Sequence, residues 1–373
     1  MDSRPADAAA PATLPPTVSS GSGPWAEPGA YPVARGVHRI PLPLPGDALK
    51  AVNVYAVEDG DRLALVDSGW HTPDSWDALG AALRSIGAEP GDVRTVLVTH
   101  IHHDHYGQAV RLRQEAGATV FLGAGEKRAM DTITDAALRD AANADRVLRL
   151  REAGAAELLP AVEEMMARAQ HQGGRAVWEP PDVYANDGQH VELKDRLLSI
   201  VATPGHTAGH VSLLDPDARL FFAGDHVLPH ITPSLGVEPF AGNGLSLVEF
   251  ISSLSRVRPL DVERVLPAHG PDFSGLAERV DALLDHHATR LSHCIDSLRR
   301  GRTTAYEVAH DLPWTRRERR YEELDLGNRL MALTETIAHL ELLVVQGTAE
   351  AREWDELRLY HLAAGSPGLP PLP

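Results

Sequence analysis

The chain has a single cysteine, Cys294, in 373 residues, so it has no intramolecular disulfide framework and fits a reducing compartment. No run of about 18 apolar residues is present, which removes a transmembrane helix from the expectations. Aromatic residues are scarce at 5%, leaving few faces on which nucleic-acid bases could stack. Basic residues are outnumbered, 35 Lys and Arg against 52 Asp and Glu, and the resulting charge of −17 opposes nucleic acid and anionic membrane surfaces. The N-terminal "MDSRPADAAAPATLPPTVSSGSGP" offers neither a basic segment leading into an apolar one nor a twin arginine. No export signal is therefore read, and a cytoplasmic location with no membrane partner is expected. No repeat with a period of about 20–50 residues is evident.

What remains is the composition of a globular protein rich in small aliphatic residues, 43% hydrophobic and long enough for a large domain plus a smaller one. Residues 1–30 read as a mobile tail, since proline, alanine and serine bury too little apolar surface to offset their ordering entropy. A large domain is expected over 31–274. Within it, "KAVNVYAVEDGDRLALVDSG" reads as a hairpin about Asp59-Gly60-Asp61, and "TPDSWDALGAALRSIG" has helical spacing at Trp76, Leu79, Leu83 and Ile86. "RTVLVT" is a buried strand, followed by a helix and the strand "ATVFLG", which is βαβ organisation. A polar helical insertion spans 126–174, after which strands resume. Residues 275–362 read as helices only, ending in a short extended piece, with a capping box at Thr304 and Glu307; 363–373 is a frayed end.

The chemistry is concentrated in "VTHIHHDHYGQ", Val98 to Gln108. Imidazoles this crowded would repel one another if protonated, so they make sense as neutral donors to a cation. On an extended loop His100 and His102 share a direction at a period of two, while the turn into the next helix presents Asp104 and His105 to a second site. His103 faces the other way and is read as supporting the ligands or facing substrate. Tyr106 either faces substrate or packs. Three later strands also end in ligand types: "TPGHTAGH" offers His206, "FFAGDH" Asp225 and "VLPAHG" His269, with Gly205, Gly209, Gly224 and Gly270 permitting close turns.

The full His-x-His-x-Asp-His pattern, with the downstream histidine, aspartate and histidine in order between Ala51 and Phe273, resembles the metallo-β-lactamase fold superfamily of metallo-hydrolases. That resemblance implies an α/β fold, a four-layer αβ/βα sandwich. It assigns His100, His102 and His206 to one metal and Asp104, His105 and His269 to another, with Asp225 bridging. Asp67 in "LVDSG" would support the metal loop, and His210 would be structural. Two Zn2+ ions are expected, although iron or manganese suits the same nitrogen and oxygen donors. Such a pair makes hydroxide available at neutral pH and polarises the scissile oxygen, with Asp104 as the catalytic residue that orients the hydroxide. Aspartate at 225, where β-lactamases of this superfamily carry cysteine or serine, argues against a lactam substrate. His102 departs from the glutamate of flavodiiron relatives, and seven ligands depart from the mononuclear persulfide oxidisers.

The segment from Gly275 to about Gly347 resembles the winged-helix-like extension on the branch of β-lactamase-like protein 2. It carries Arg299, Arg300, Arg302, Arg316, Arg317, Arg319 and Arg320, interleaved with Glu318, Glu322 and Glu323. These arginines serve either as a grip for RNA in a metal-dependent endoribonuclease or as a solvated face on helices that cover the site or form a homodimer interface. The second reading is preferred because acidic residues break up the patch. A small-molecule substrate follows, and a thioester such as a glutathione or coenzyme A conjugate is expected by analogy with glyoxalase II, since a thiolate leaves without a general acid. A lactone hydrolase is a close variant, and a non-catalytic metal-containing binding module is a third class. Met130, Met165 and Met166 in the insertion either line an acyl pocket or simply pack.

Overall fold

The computed structural model describes residues 25–46, 49–171, 178–236, 245–315 and 318–365. Most of the expected N-terminal tail, residues 366–373, the end of the insertion and Arg316 and Arg317 lie outside the described residues. Seven strands form the first sheet in chain order: β1 (Tyr31–Ala34), β2 (Val37–Pro43), β3 (Ala51–Asp59), β4 (Arg62–Val66), β5 (Val93–Val98), β6 (Thr119–Gly123) and β7 (Val183–Ala185). Pairing is antiparallel through β4 and parallel from there to β7. The second sheet has the order β12-β11-β10-β9-β8, built from β8 (His190–Leu193), β9 (Arg196–Ala202), β10 (Val211–Asp215), β11 (Leu220–Gly224) and β12 (Arg264–Pro267). The helices are α1 (Pro73–Ser85), α2 (His103–Tyr106), α3 (Ala109–Ala116), α4 (Lys127–Thr134), α5 (Ala136–Glu152), α6 (Leu159–His171), α7 (Ser246–Val257), α8 (Leu276–Arg299), α9 (Ala305–Asp311) and α10 (Leu326–Val345). A final hairpin pairs β13 (Ala349–Trp354) with β14 (Leu357–Leu362).

Side-chain alternation along the strands explains the layering. On β3, Tyr55 and Val57 join β11 residues Leu220 and Phe222 in the core between the sheets. Their neighbours Val52, Val54 and Ala56 pack the other way, against Leu79 and Leu83 of α1 and Leu112 of α3. Phe221 and Ala223 of β11 turn outward to α7 and α8, in a cluster that runs on into α9, α10 and Tyr360 of β14. The result is the four-layer αβ/βα sandwich that the resemblance implied.

The expected hairpin is β3–β4, and the expected first helix is α1, which Thr72 caps by accepting from the Ser75 N–H. Thr304 and Glu307 form their capping box at α9. Strands β1, β2 and β7 and helix α7 were not expected. β2 accommodates Pro41 and Pro43 because β1 pairs only as far as Arg39, which among the described residues leaves that stretch a strand partner on one side alone. Of the two readings of the insertion's methionines, packing holds for Met130 and Met166. Met130 is buried with α1 and α3 under the first sheet, Met166 packs against the cluster of the second sheet, and Met165 is exposed.

Candidate metal centre

The first candidate ligands come from the loop that leaves β5. Extended backbone at His102 keeps the period of two through Ile101, whose side chain enters the core while His100 and His102 turn together toward the site. His100 Nε2 lies 2.9 Å from His102 Nδ1, and His206 Nε2 lies 3.1 Å from that same atom. Three ring nitrogens thus converge from two loops on one point. One turn on, α2 presents Asp104 and His105. Asp104 Oδ2 is 3.4 Å from His105 Nε2 and 3.3 Å from His269 Nε2, which closes a second group. Asp225, just past β11, faces both: Oδ2 is 3.4 Å from His206 Nε2, while Oδ1 is 3.4 Å from His269 Nε2 and 3.8 Å from His105 Nε2. All seven residues named from the sequence meet here. His103 does not; it is exposed, with its ring edge against Trp178. Tyr106 packs, stacked on Trp178 and donating its hydroxyl to the Glu179 carbonyl.

The imidazoles of His206, His269, His105 and His100 are each aimed by a partner on the far nitrogen, the arrangement that fixes tautomer and ring orientation in metal sites. Nδ1–H of His206 donates to Ser234 O at 2.7 Å, that of His269 to Ala51 O at 2.8 Å, and that of His105 to Asp67 Oδ2 at 2.9 Å. His100 Nδ1 lies 3.1 Å from the Thr99 hydroxyl. Asp67 holds this hub from a left-handed backbone conformation, φ +62°, and also accepts from the Thr99 N–H at 2.8 Å. His210 is structural: Nε2 accepts the Asp225 N–H at 3.1 Å, and Nδ1 lies 2.8 Å from the Thr203 hydroxyl. Sequence reasoning missed Thr99, Ser234 and Ala51. Two of these act through backbone carbonyls, which no residue type announces.

The protonation pattern suits a cation. Burial, reinforced by neighbouring imidazoles, depresses His100, and His102 is lowered to about 3 by burial and then by His206. Burial also opposes charge on His105 and His269, but the surrounding carboxylates outweigh it and raise both. Burial would raise Asp104 and Asp225, yet those same histidines hold both low. In the metal-free chain, protons on His105 and His269 therefore balance two carboxylates, and metal loading must displace them. His105 Nε2, His269 Nε2 and Asp225 Oδ1 are buried with no hydrogen-bond partner among the described residues. Orphaned nitrogen and oxygen donors converging in this way fit a divalent metal.

Glu126, wholly buried after β6, ties the two ligand loops together. Its Oε1 accepts from the Thr207 hydroxyl beside His206 and from the Ile101 N–H between His100 and His102. Burial pushes its carboxyl up from 4.5 to about 7. The folded state therefore holds this proton more tightly than the unfolded one. The associated stability is present in full below pH 4.5 and is lost as pH rises through about 7. The gap corresponds to about 3 kcal/mol. In metal-free protein, Glu126→Gln should raise the thermal midpoint relative to wild type at pH 8 and leave it nearly unchanged at pH 5. An equal shift at both pH values would refute this account.

Residues 48–269, more than half of the chain, match the family described as the Metallo-beta-lactamase superfamily. The beta-lactamase-like protein 2 homolog of Caenorhabditis elegans is 25% identical over 275 residues, which cover 71% of this chain and 73% of that one. The acyl-coenzyme A thioesterase MBLAC2 of Homo sapiens is 31% identical over 118 residues, 31% of this chain and 39% of its own. Among solved structures, a metallo-beta-lactamase family protein from Thermus thermophilus matches with a TM-score of 0.72 at 26% identity, across 89% of this chain and 100% of that one. With the sandwich, the converging donors and these matches together, the chain belongs to the metallo-β-lactamase superfamily and is a metallo-hydrolase.

Proposed function

We propose that this protein is a dinuclear zinc hydrolase of a small-molecule thioester, such as a glutathione or coenzyme A conjugate. The observation that carries the two-metal reading is Asp225, which turns one carboxylate oxygen to His206 and the other to His105 and His269. His100, His102 and His206 would hold one ion, Asp104, His105 and His269 the other, with Asp225 shared. A bound pair supplies a nucleophilic water at neutral pH and polarises the scissile carbonyl.

The chain's own groups do the rest. Asp104, whose carboxyl lies beside His105 and His269, would accept a hydrogen bond from the attacking water and so orient it. The carboxylates Asp104 and Asp225 are kept deprotonated, and Tyr106 spends its hydroxyl on Glu179. Among the described residues no proton donor for the departing group stands out, which suits a leaving group that needs none, and a thiolate is such a group. The match to an acyl-coenzyme A thioesterase supports the same class. Small molecules are favoured over RNA because Arg299 pairs with Asp296 while Arg300 and Arg302 share Asp311, so these arginines already have carboxylates.

Thiol release from a panel of glutathione and coenzyme A thioesters, followed with a thiol-reactive dye, tests the proposal. Zinc-loaded wild type should release thiol, while Asp104→Ala with its metal content checked should be slower by about 100-fold or more, a loss of about 3 kcal/mol in transition-state stabilisation. Hydrolysis of lactones or an oligonucleotide, with every thioester left intact, would overturn the thioester assignment.

A further inference from the structure

The loop that carries His269 belongs to the second sheet, yet it is held by the first. β4 pairs with β3 only from Asp59 as far as Tyr55, because the chain turns away at Asp67 to reach His105. Beyond that point the β3 edge at 51–53 has backbone groups that need partners. The loop after β12 takes them: Asn53 N–H donates to Ala268 O at 2.7 Å, and Ala51 O accepts from His269 Nδ1–H at 2.8 Å.

The Asn53 side chain completes the grip. It is wholly buried, and its amide nitrogen donates to Pro267 O at 2.9 Å and Gly270 O at 2.8 Å, on either side of His269. Its Oδ1 accepts from the Arg39 guanidinium at 3.2 Å. The Tyr55 hydroxyl adds a second donor to Pro267 O at 2.7 Å. A carboxamide is the group that can offer two N–H donors to two carbonyls while accepting from an arginine. An apolar or acidic residue here would leave both carbonyls without the amide donors they now have.

We propose that Asn53 is a positioning residue for the metal centre, setting the aim of His269 and through it the affinity of the Asp104, His105 and His269 group, separately from the group of His100, His102 and His206. This rests on the dinuclear reading above.

The test is metal titration of Asn53→Ala and Asn53→Asp against a competing chelator, together with the imidazole N–H spectrum of the metal-free proteins. Asn53→Asp keeps the shape and the Arg39 contact but has lost the amide donors, so it carries the test if Asn53→Ala does not fold. Wild type should bind two zinc ions tightly. In the variants one ion should stay within about threefold of wild type, and the other should weaken by about 10–100-fold, the scale of lost partners behind metal ligands. The His269 Nδ1–H signal, sharp in wild type, should broaden or vanish. Two tight ions in the Asn53→Asp variant, or equal weakening of both, would overturn the inference. If wild type binds a single ion, the dinuclear reading fails, and the inference then stands or falls on the His269 Nδ1–H signal alone.

Discussion

Asp225→Ala is expected to lower kcat/KM by about 1000-fold or more, since on the dinuclear proposal it would be a shared ligand underlying several kcal/mol of transition-state charge stabilisation, and each 1.36 kcal/mol is tenfold in rate. Asp225 stands within 3.4 Å of His206 and His269 and 3.8 Å of His105, so its removal takes an acceptor from both ligand groups at once. It also withdraws the negative charge that helps to keep His105 and His269 protonated in the metal-free chain, so those rings should titrate at lower pH in the variant. The fold should survive, because the backbone N–H of residue 225 still donates to His210 Nε2. Metal stoichiometry by elemental analysis, with kcat/KM on whichever substrate wild type hydrolyses, measures the effect. A variant that retains two ions and activity within tenfold of wild type would show that Asp225 is not shared.

Gly209→Ala should cost more in stability than any surface substitution, about 3 kcal/mol or more, as overpacking against immovable backbone does at its upper end. The loops meet main chain to main chain: a Cβ on Gly209 would fall well inside 3.0 Å of the Glu126 nitrogen, and one on Gly123 would do the same against the Gly209 carbonyl. Neither contact involves a flexible side chain that could swing away. Separating the loops would also pull Thr207 from Glu126 and disturb His206 and His210 on either side. The thermal midpoint of the metal-free variant should fall by several degrees, and zinc affinity at His206 should fall with it. Gly123→Ala combined with Gly209→Ala should cost less than the sum of the two, because both press on the same contact. Strict additivity would place the two glycines in separate constraints.

Part of this protein was decided by sequence alone, and the reason is distance along the chain. The period of two that puts His100 and His102 on one side, the turn that presents Asp104 and His105, and the β3–β4 hairpin at Gly60 are set by residues within a few positions of one another. The candidate ligand types belong here too, since histidine and aspartate at strand ends carry their chemistry with them. The departures came from groups that depend on partners far away. Pro41 and Pro43 are tolerated in β2 only because β1 stops short, and Met130 and Met166 part company because the sheets place them under different faces.

Tertiary structure alone decided how the ligands are aimed. Carbonyls of Ala51 and Ser234 orient His269 and His206, and a peptide carbonyl has no signature in the residue that bears it. Asn53 in sequence is an ordinary polar residue in a strand. It becomes a clamp on His269 only after the two sheets pack so that an unpaired strand edge meets the loop after β12, more than two hundred positions further along the chain. Local periodicity determines which way a side chain points, whereas the packing of the sheets determines what it meets there.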